Sequence, residues 1–175
     1  MQIALPQGSL RSWRIEDAPA LVEGANNRNV WLRLRDIFPH PYTLANAEAY
    51  LGRVVRVKPA FSFCIELDGR AAGGIGLDAQ DDVHHRTAEI GYWLAEPFWG
   101  RGVMTHVVRA IIGYGFTALP LDRIEAYVFS NNPTSARVLE KTGFTCEGRL
   151  RQNVVKDGQL LDSLVYSILR DEVYP

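Results

Sequence analysis

The chain has 175 residues, 47% apolar and 22% charged, with 15 Gly and 9 Pro. This excludes disordered, collagen-like and low-complexity classes and predicts a single domain over residues 1–175, burying about 70% of the surface its unfolded chain would expose. Nineteen Lys plus Arg against 20 Asp plus Glu leave a net charge of -1, too weak a field to gather nucleic acid or anionic lipid as a main partner.

Cys64 and Cys146 stand far apart, outside any CxxC or Cys/His cluster. That removes a disulfide framework and a cysteine-based zinc site, and it fits a reducing cytoplasm. No apolar run approaches the roughly 20 residues of a membrane span, and residues 1–10 lack the basic-then-apolar pattern of an export signal.

In chain order, residues 10–14 read as a short strand. Residues 15–26 read as a helix in which Ala18, Leu21, Val22 and Ala25 recur at helical spacing, stopped by Asn26-Asn27. After the turn Phe38-Pro39-His40-Pro41, Thr43 caps a second helix carrying Leu44, Ala47, Tyr50, Leu51 and Val54 on one face. Residues 61–67 alternate as a strand, Asp68-Gly69 is a tight hairpin turn, and residues 71–77 return. Residues 87–95 form a further strand with Ala88, Ile90, Tyr92 and Leu94 on one side and Glu89, Gly91 and Trp93 on the other.

The run Trp99-Gly100-Arg101-Gly102 then opens a buried helix beginning at Val103. Residues 123–129 are another strand. Residues 133–142 form a helix with Pro at its first turn and Gly143 just past its end. Residues 144–155 and 160–169 close as a hairpin around Asp157-Gly158. The order is that of a mixed α/β chain.

Two segments carry chemistry. The first N–H groups of a helix lack internal partners and sit at the positive end of its dipole, so Gly100-Arg101-Gly102 can admit a phosphate closely; the same pair also suits an ordinary tight connection. It is neither a Walker loop nor a full dinucleotide fingerprint. Asn132, with Ser135 three residues on, reads as a helix cap, and beside the first segment as a ligand contact.

The chain resembles the GCN5-related N-acetyltransferase (GNAT) superfamily, and within it the bacterial ribosomal-protein N-terminal acetyltransferases for alanine or serine. The marks are Leu10-Arg11, Pro39-His40-Pro41-Tyr42, the strand Thr87-Ala88-Glu89-Ile90-Gly91-Tyr92-Trp93-Leu94, the loop Phe98-Trp99-Gly100-Arg101-Gly102, and Asn132-x-x-Ser135 leading to Glu140-Lys141-x-Gly143-Phe144-x-x-Glu147-Gly148.

The resemblance implies a mixed, mostly antiparallel twisted sheet flanked by helices, with the fourth and fifth strands splayed around acetyl-CoA. It implies that Trp93 and Leu94 offer backbone groups to pantetheine. Trp99, Gly100, Arg101, Gly102, Val103, Met104 and Thr105 wrap the pyrophosphate, Arg101 and Arg137 add charge near the phosphates, and Asn132 with Ser135 faces the thiol end. The chain departs from the family pattern at Met104, where Gly or Ala is usual, and at Leu139, where a tyrosine acid is frequent.

The implied reaction is direct attack by a primary amine on acetyl-CoA in a ternary complex. An α-amine near pKa 8 costs about 1 to 1.5 kcal/mol to deprotonate at pH 7, against about 4.5 for a lysine, so a modest base suffices. Glu89 is the candidate base and Ser135 the candidate acid, with a solvent-facing structural Glu as the alternative for the first.

The expected acceptor is a protein N-terminus, with a polyamine, amino sugar or amino acid analogue as the small-molecule alternative. A non-catalytic acetyl-CoA-binding module is a further reading, as is a nucleotide enzyme using the same loop. Residues 26–42 and 78–86 are expected to shape the acceptor pocket. Trp13, Trp31, Phe38 and Tyr42 serve as pocket wall or as core. Cys64 and Cys146 read as packed, inert thiols. His40, His84, His85 and His106 display no converging metal set. A homodimer is compatible with the sequence.

Overall fold

The computed structural model describes residues 2–173. Eight strands form a mixed sheet in the order β1-β2-β3-β4-β5-β6-β8-β7: β1 (Gln2–Leu5), β2 (Gly8–Ser12), β3 (Ser62–Leu67), β4 (Arg70–Ala79), β5 (Thr87–Leu94), β6 (Arg123–Phe129), β7 (Thr145–Lys156) and β8 (Gln159–Leu169). The β5–β6 pair is parallel, whereas the β1–β2, β2–β3, β3–β4, β6–β8 and β7–β8 pairs are antiparallel. The helices are α1 (Ala18–Ala25), α2 (Arg28–Trp31), α3 (Leu44–Val54), α4 (Val103–Ala118), α5 (Pro133–Lys141) and α6 (Arg170–Val173). The chain divides into two compact units, Met1–Gly76 with Tyr92–Val107, and Leu77–Gly91 with Val108–Pro175.

In the first unit the sequence reading is corrected in three places. An amino-terminal strand, β1, precedes the expected first one. The helix expected over 15–26 is a 3-10 turn, Ile15–Asp17, followed by α1. The Asn26-Asn27 stop also starts a new helix, because the Asn27 side chain accepts hydrogen bonds from the N–H groups of Asn29 and Val30 and caps α2. Helix α3 forms as its pattern predicts, with Thr43 and Asn46 closing a reciprocal cap.

Trp13, Leu21, Ala25, Tyr42, Leu51 and Cys64 belong to one buried cluster. Cys64 is therefore packed, as expected, and burial pushes its thiol up to about 12. Trp13 and Tyr42 are core residues rather than pocket wall, while Trp31 and Phe38 are half-buried.

A buried ion cluster ties β2 to the turn before α1. Arg11 donates from both terminal nitrogens to the Asp17 carboxylate at 2.8 Å and from Nε to Glu66, and Arg14 N–H donates to Asp17 at 2.9 Å. Burial alone would raise Asp17, but the Arg11 and Arg14 hydrogen bonds outweigh it and hold the carboxylate below its ordinary value.

In the second unit, α4 lies against β4 and β6 at Gly115, where an added Cβ would meet Leu77 at 2.8 Å and Ile124 at 3.1 Å. The closing hairpin turns at Asp157 and Gly158, both at positive φ, as the Asp-Gly pair predicts. Strand β7 is exposed along most of its length. Cys146 lies on it and is exposed, not packed, as are its neighbours Thr145, Glu147 and Arg149.

Arg11 is the most exacting side chain in the first unit. Arg11→Leu leaves the Asp17 charge buried without its main partner, and the expected loss is about 3–5 kcal/mol of unfolding free energy in a urea titration.

Candidate active site

In the first unit, the chain leaves β5, makes a 3-10 turn at Glu96–Phe98 and reaches α4 through Trp99-Gly100-Arg101-Gly102. Gly100 and Gly102 have φ of 74° and 75°, a left-handed backbone costing a side-chain-bearing residue about 1–2 kcal/mol. A Cβ at either would meet nothing within 4 Å, so it is the backbone conformation that calls for glycine. The open space beside both positions is what a ligand approaching the main chain requires.

Side chains hold this loop. Trp99 Nε1 donates to the Leu94 carbonyl at 2.7 Å, and the Arg33 guanidinium lies 5.0 Å from the Trp99 ring centre. Glu96 accepts from Asn27 Nδ2 at 2.7 Å and from Asn29 Nδ2 at 2.9 Å. Gln7 Nε2 donates to the Arg101 carbonyl at 2.8 Å. In a trans peptide the carbonyl and the following N–H point in opposite directions, so this bond also aims the Gly102 N–H. The bond from Gln7, 94 positions away in sequence, has no local signal.

Arg101 is exposed and lies over Phe98, 5.3 Å from its ring centre. Val103 is buried, whereas Met104 and Thr105 are half-buried. Trp93 is half-buried too, its ring against Gly24 and Gly74 and 5.6 Å from Phe38. One lone pair of the Leu94 carbonyl already serves Trp99, which narrows what Leu94 can offer a ligand to the rest of its backbone.

In the second unit, β5 and β6 pair at Thr87↔Arg123, Ala88↔Ile124 and Glu89↔Glu125. Both strands run on, through Ile90-Gly91 and through Ala126 to Phe129, without continuing that register. This parting matches the expected splay; the additional strand β1 moves it from the fourth and fifth strands to β5 and β6. Asn132 caps α5, its Oδ1 accepting from Ser135 N–H at 3.3 Å, so the helix-cap reading holds. Arg137 is exposed and Leu139 fully buried.

Sequence reasoning missed a polar network on β6. Glu125, only 8% exposed, accepts from Gln80 Nε2 at 2.8 Å and from Arg123 Nε at 3.0 Å. Arg123 also grips both oxygens of Glu147, at 2.8 and 2.6 Å, and Ser167 donates to the same carboxylate at 2.7 Å. Alternation along 123–129 could have placed Arg123 and Glu125 on one face, but Gln80 and Glu147 come from other segments.

His84 and His85 are exposed. Among the described residues no group of three His, Cys, Asp or Glu converges to hold a metal, and no helix is long and apolar enough to cross a membrane.

Residues 9–145 match the model of the acetyltransferase (GNAT) domain. The putative ribosomal N-acetyltransferase YdaF of Bacillus subtilis is 39% identical over 105 residues, 60% of this chain and 57% of its own; the chain thus spans little more than half of that relative. Spermidine N(1)-acetyltransferase of Escherichia coli is 26% identical over 164 residues, 93% of this chain and 86% of that one. The structure of Mycobacterium smegmatis RimJ in complex with CoA-disulfide aligns with a TM-score of 0.83 and 27% identity, over 100% of this chain and 88% of that chain.

The Glu147 carboxyl is held at about 2, below its ordinary 4.5, first by Arg123 and then by Ser167. Its contribution to stability is present above pH 4.5 and is lost as pH falls towards 2. Glu147→Gln is therefore expected to lower the melting temperature at pH 7 and to flatten its decline between pH 5 and 2, followed by thermal denaturation across that range.

Proposed function

The chain belongs to the GNAT acetyltransferase family, and we propose that it moves the acetyl group of acetyl-CoA to a primary amine, most favourably a protein N-terminal α-amine, by direct attack in a ternary complex. The observation that carries this is the pair of left-handed glycines opening α4, with unfilled space beside both. The fit is to a group recognised through main-chain N–H donors, as a diphosphate is.

On this reading residues 99–105 hold the pyrophosphate of the co-substrate, with Arg101 and Arg137 adding positive charge. Trp93 and Leu94 supply main-chain groups to pantetheine. Asn132, whose Oδ1 is committed to the α5 cap, contributes its Nδ2 as donor, and Ser135 stands beside it. Glu89 is the base that receives the amine proton, directly or through water. When bound, acetyl-CoA supplies a thioester activated for acyl transfer; the protein positions it and manages protons. On this reading residues 1–175 act as an N-acetyltransferase domain in the cytoplasm.

The preference for an α-amine has two supports. The first is the smaller cost of deprotonating it. The second is the charge of segment 26–42, where Arg28, Arg33 and Arg35 stand against Asp36 alone, a segment ill-suited to a polycation. A polyamine acceptor is the second reading, favoured by the relative named for spermidine and by Asp78, Asp81 and Asp82, all exposed.

A panel of peptides differing in their first residue, spermidine, spermine and amino sugars, each incubated with acetyl-CoA, separates these readings. Acetylated peptide α-amines are expected. Product from the polyamines alone transfers the assignment to the second reading, and saturable CoA binding with no product from any amine leaves a binding module.

Gln7→Ala releases the Arg101 carbonyl. It is expected to raise KM for acetyl-CoA about threefold to tenfold while leaving turnover of S-acetylpantetheine, which lacks phosphate, unchanged.

A further inference from the structure

In the second unit, β7 loses its register with β8 between Leu150 and Val154, so that Arg151, Gln152 and Asn153 stand against Asp162 alone. Within this bulge Gln152 has a φ of 53°, a left-handed backbone that few residues other than glycine adopt. Bulges re-aim side chains, and strain of this kind persists only where the surroundings over-determine it. Here Asp162 does so: its Oδ1 accepts from Gln152 N–H at 2.7 Å and its Oδ2 from Arg149 Nε. Ser163 Oγ donates to Asn153 Oδ1 at 2.9 Å and fixes the far side of the bulge.

Beside the bulge lies an open hollow of about 460 Å³, lined by Arg151, Gln152 and Asp162. The Gln152 N–H first, and then Arg149, hold the Asp162 carboxyl below its ordinary value, so it stays ionised at neutral pH with its charge offset by Arg149. Arg151 is exposed, and its guanidinium is the charge left over. The hollow is therefore net positive, and a guanidinium presents paired N–H donors that match a carboxylate.

The same Asp162 ties the hollow to the end of β6. Beyond the last register pair, Phe129↔Ser163, Ser130 N–H donates to the Asp162 carbonyl at 2.9 Å and Asp162 N–H donates to Ser130 Oγ at 3.2 Å. Asn132 N–H then donates to the Phe129 carbonyl at 2.8 Å, a turn that keeps their Cα atoms within about 7 Å. On the acetyl-transfer reading Asn132 faces the thiol end of the co-substrate. An extended peptide advances about 3.4 Å per residue, so a chain whose amine reaches that end brings its second to fourth residues to the hollow.

We propose that the β7 bulge is an acceptor subsite in which Arg151 binds the side-chain carboxylate of an Asp or Glu among the second to fourth residues of the acceptor peptide. The inference rests on the N-terminal acetyl-transfer reading and deepens it by naming acidic amino termini as the substrate class. No bond is made or broken at this subsite; it selects which amine is presented.

The test is steady-state kinetics at saturating acetyl-CoA, using peptide pairs that differ only in Glu against Gln at position two, three or four. Wild type is expected to show a KM about tenfold lower for the Glu member at one of these positions. Arg151→Gln is expected to remove that difference, Arg151→Lys to keep part of it, and Arg151→Glu to favour a Lys at the same position, with the KM for acetyl-CoA as in wild type throughout. A purely structural role for Arg151 would not reverse the charge preference. Equal wild-type KM values within every pair, or a Glu preference that survives Arg151→Gln, overturn the inference alone. A wild-type protein that acetylates no peptide overturns the N-terminal reading and the inference with it.

Discussion

Between the end of β5 and the start of α4 the backbone twice adopts a left-handed conformation, at Gly100 and Gly102, and side chains from several segments of the first unit hold that path. Trp99 returns its indole N–H to Leu94, and Glu96 is held by two asparagine amides. Gln7 reaches across from the turn between β1 and β2 to fix the Arg101 peptide. None of these bonds is individually strong; at roughly 0.5–1.5 kcal/mol each they contribute order more than stability. Their combined effect is to present main-chain donors at a helix N-terminus in a fixed direction, which is the preorganisation anion recognition needs.

The second unit solves a different problem. Parallel pairing of β5 with β6 stops at Glu89 and Glu125, and a sheet that opens exposes polar groups that must find other partners. On β6 the side chains beside the opening are organised by charge. Arg123 sits between Glu125 and Glu147 and fixes both carboxylates.

Legibility in the sequence followed locality. Helix α3 was visible because its cap, Thr43, and its apolar stripe lie within the helix itself. β6 was visible from alternation, and the Asp68-Gly69 turn from two residues that tolerate positive φ. β1 was not, because its four residues are exposed or half-buried and it exists through pairing with β2. α2 was hidden because a single helical turn has no periodicity, only the Asn27 cap, and the same asparagine pair also reads as a stop. At the candidate site the glycine loop and the Asn132 cap were legible as motifs. Gln7 and the Gln80–Glu125 bond were not, since these partners stand 94 and 45 positions apart.

The central claim is that main-chain amides at the start of α4 bind the diphosphate of CoA. An amide-resolved NMR titration of the uniformly labelled protein tests it most directly, with CoA in one arm and pantetheine in the other. The account predicts large shifts for the Gly100, Gly102 and Val103 amides on addition of CoA, and little movement of these three with pantetheine. Saturable CoA binding that leaves all three amides unmoved would contradict it.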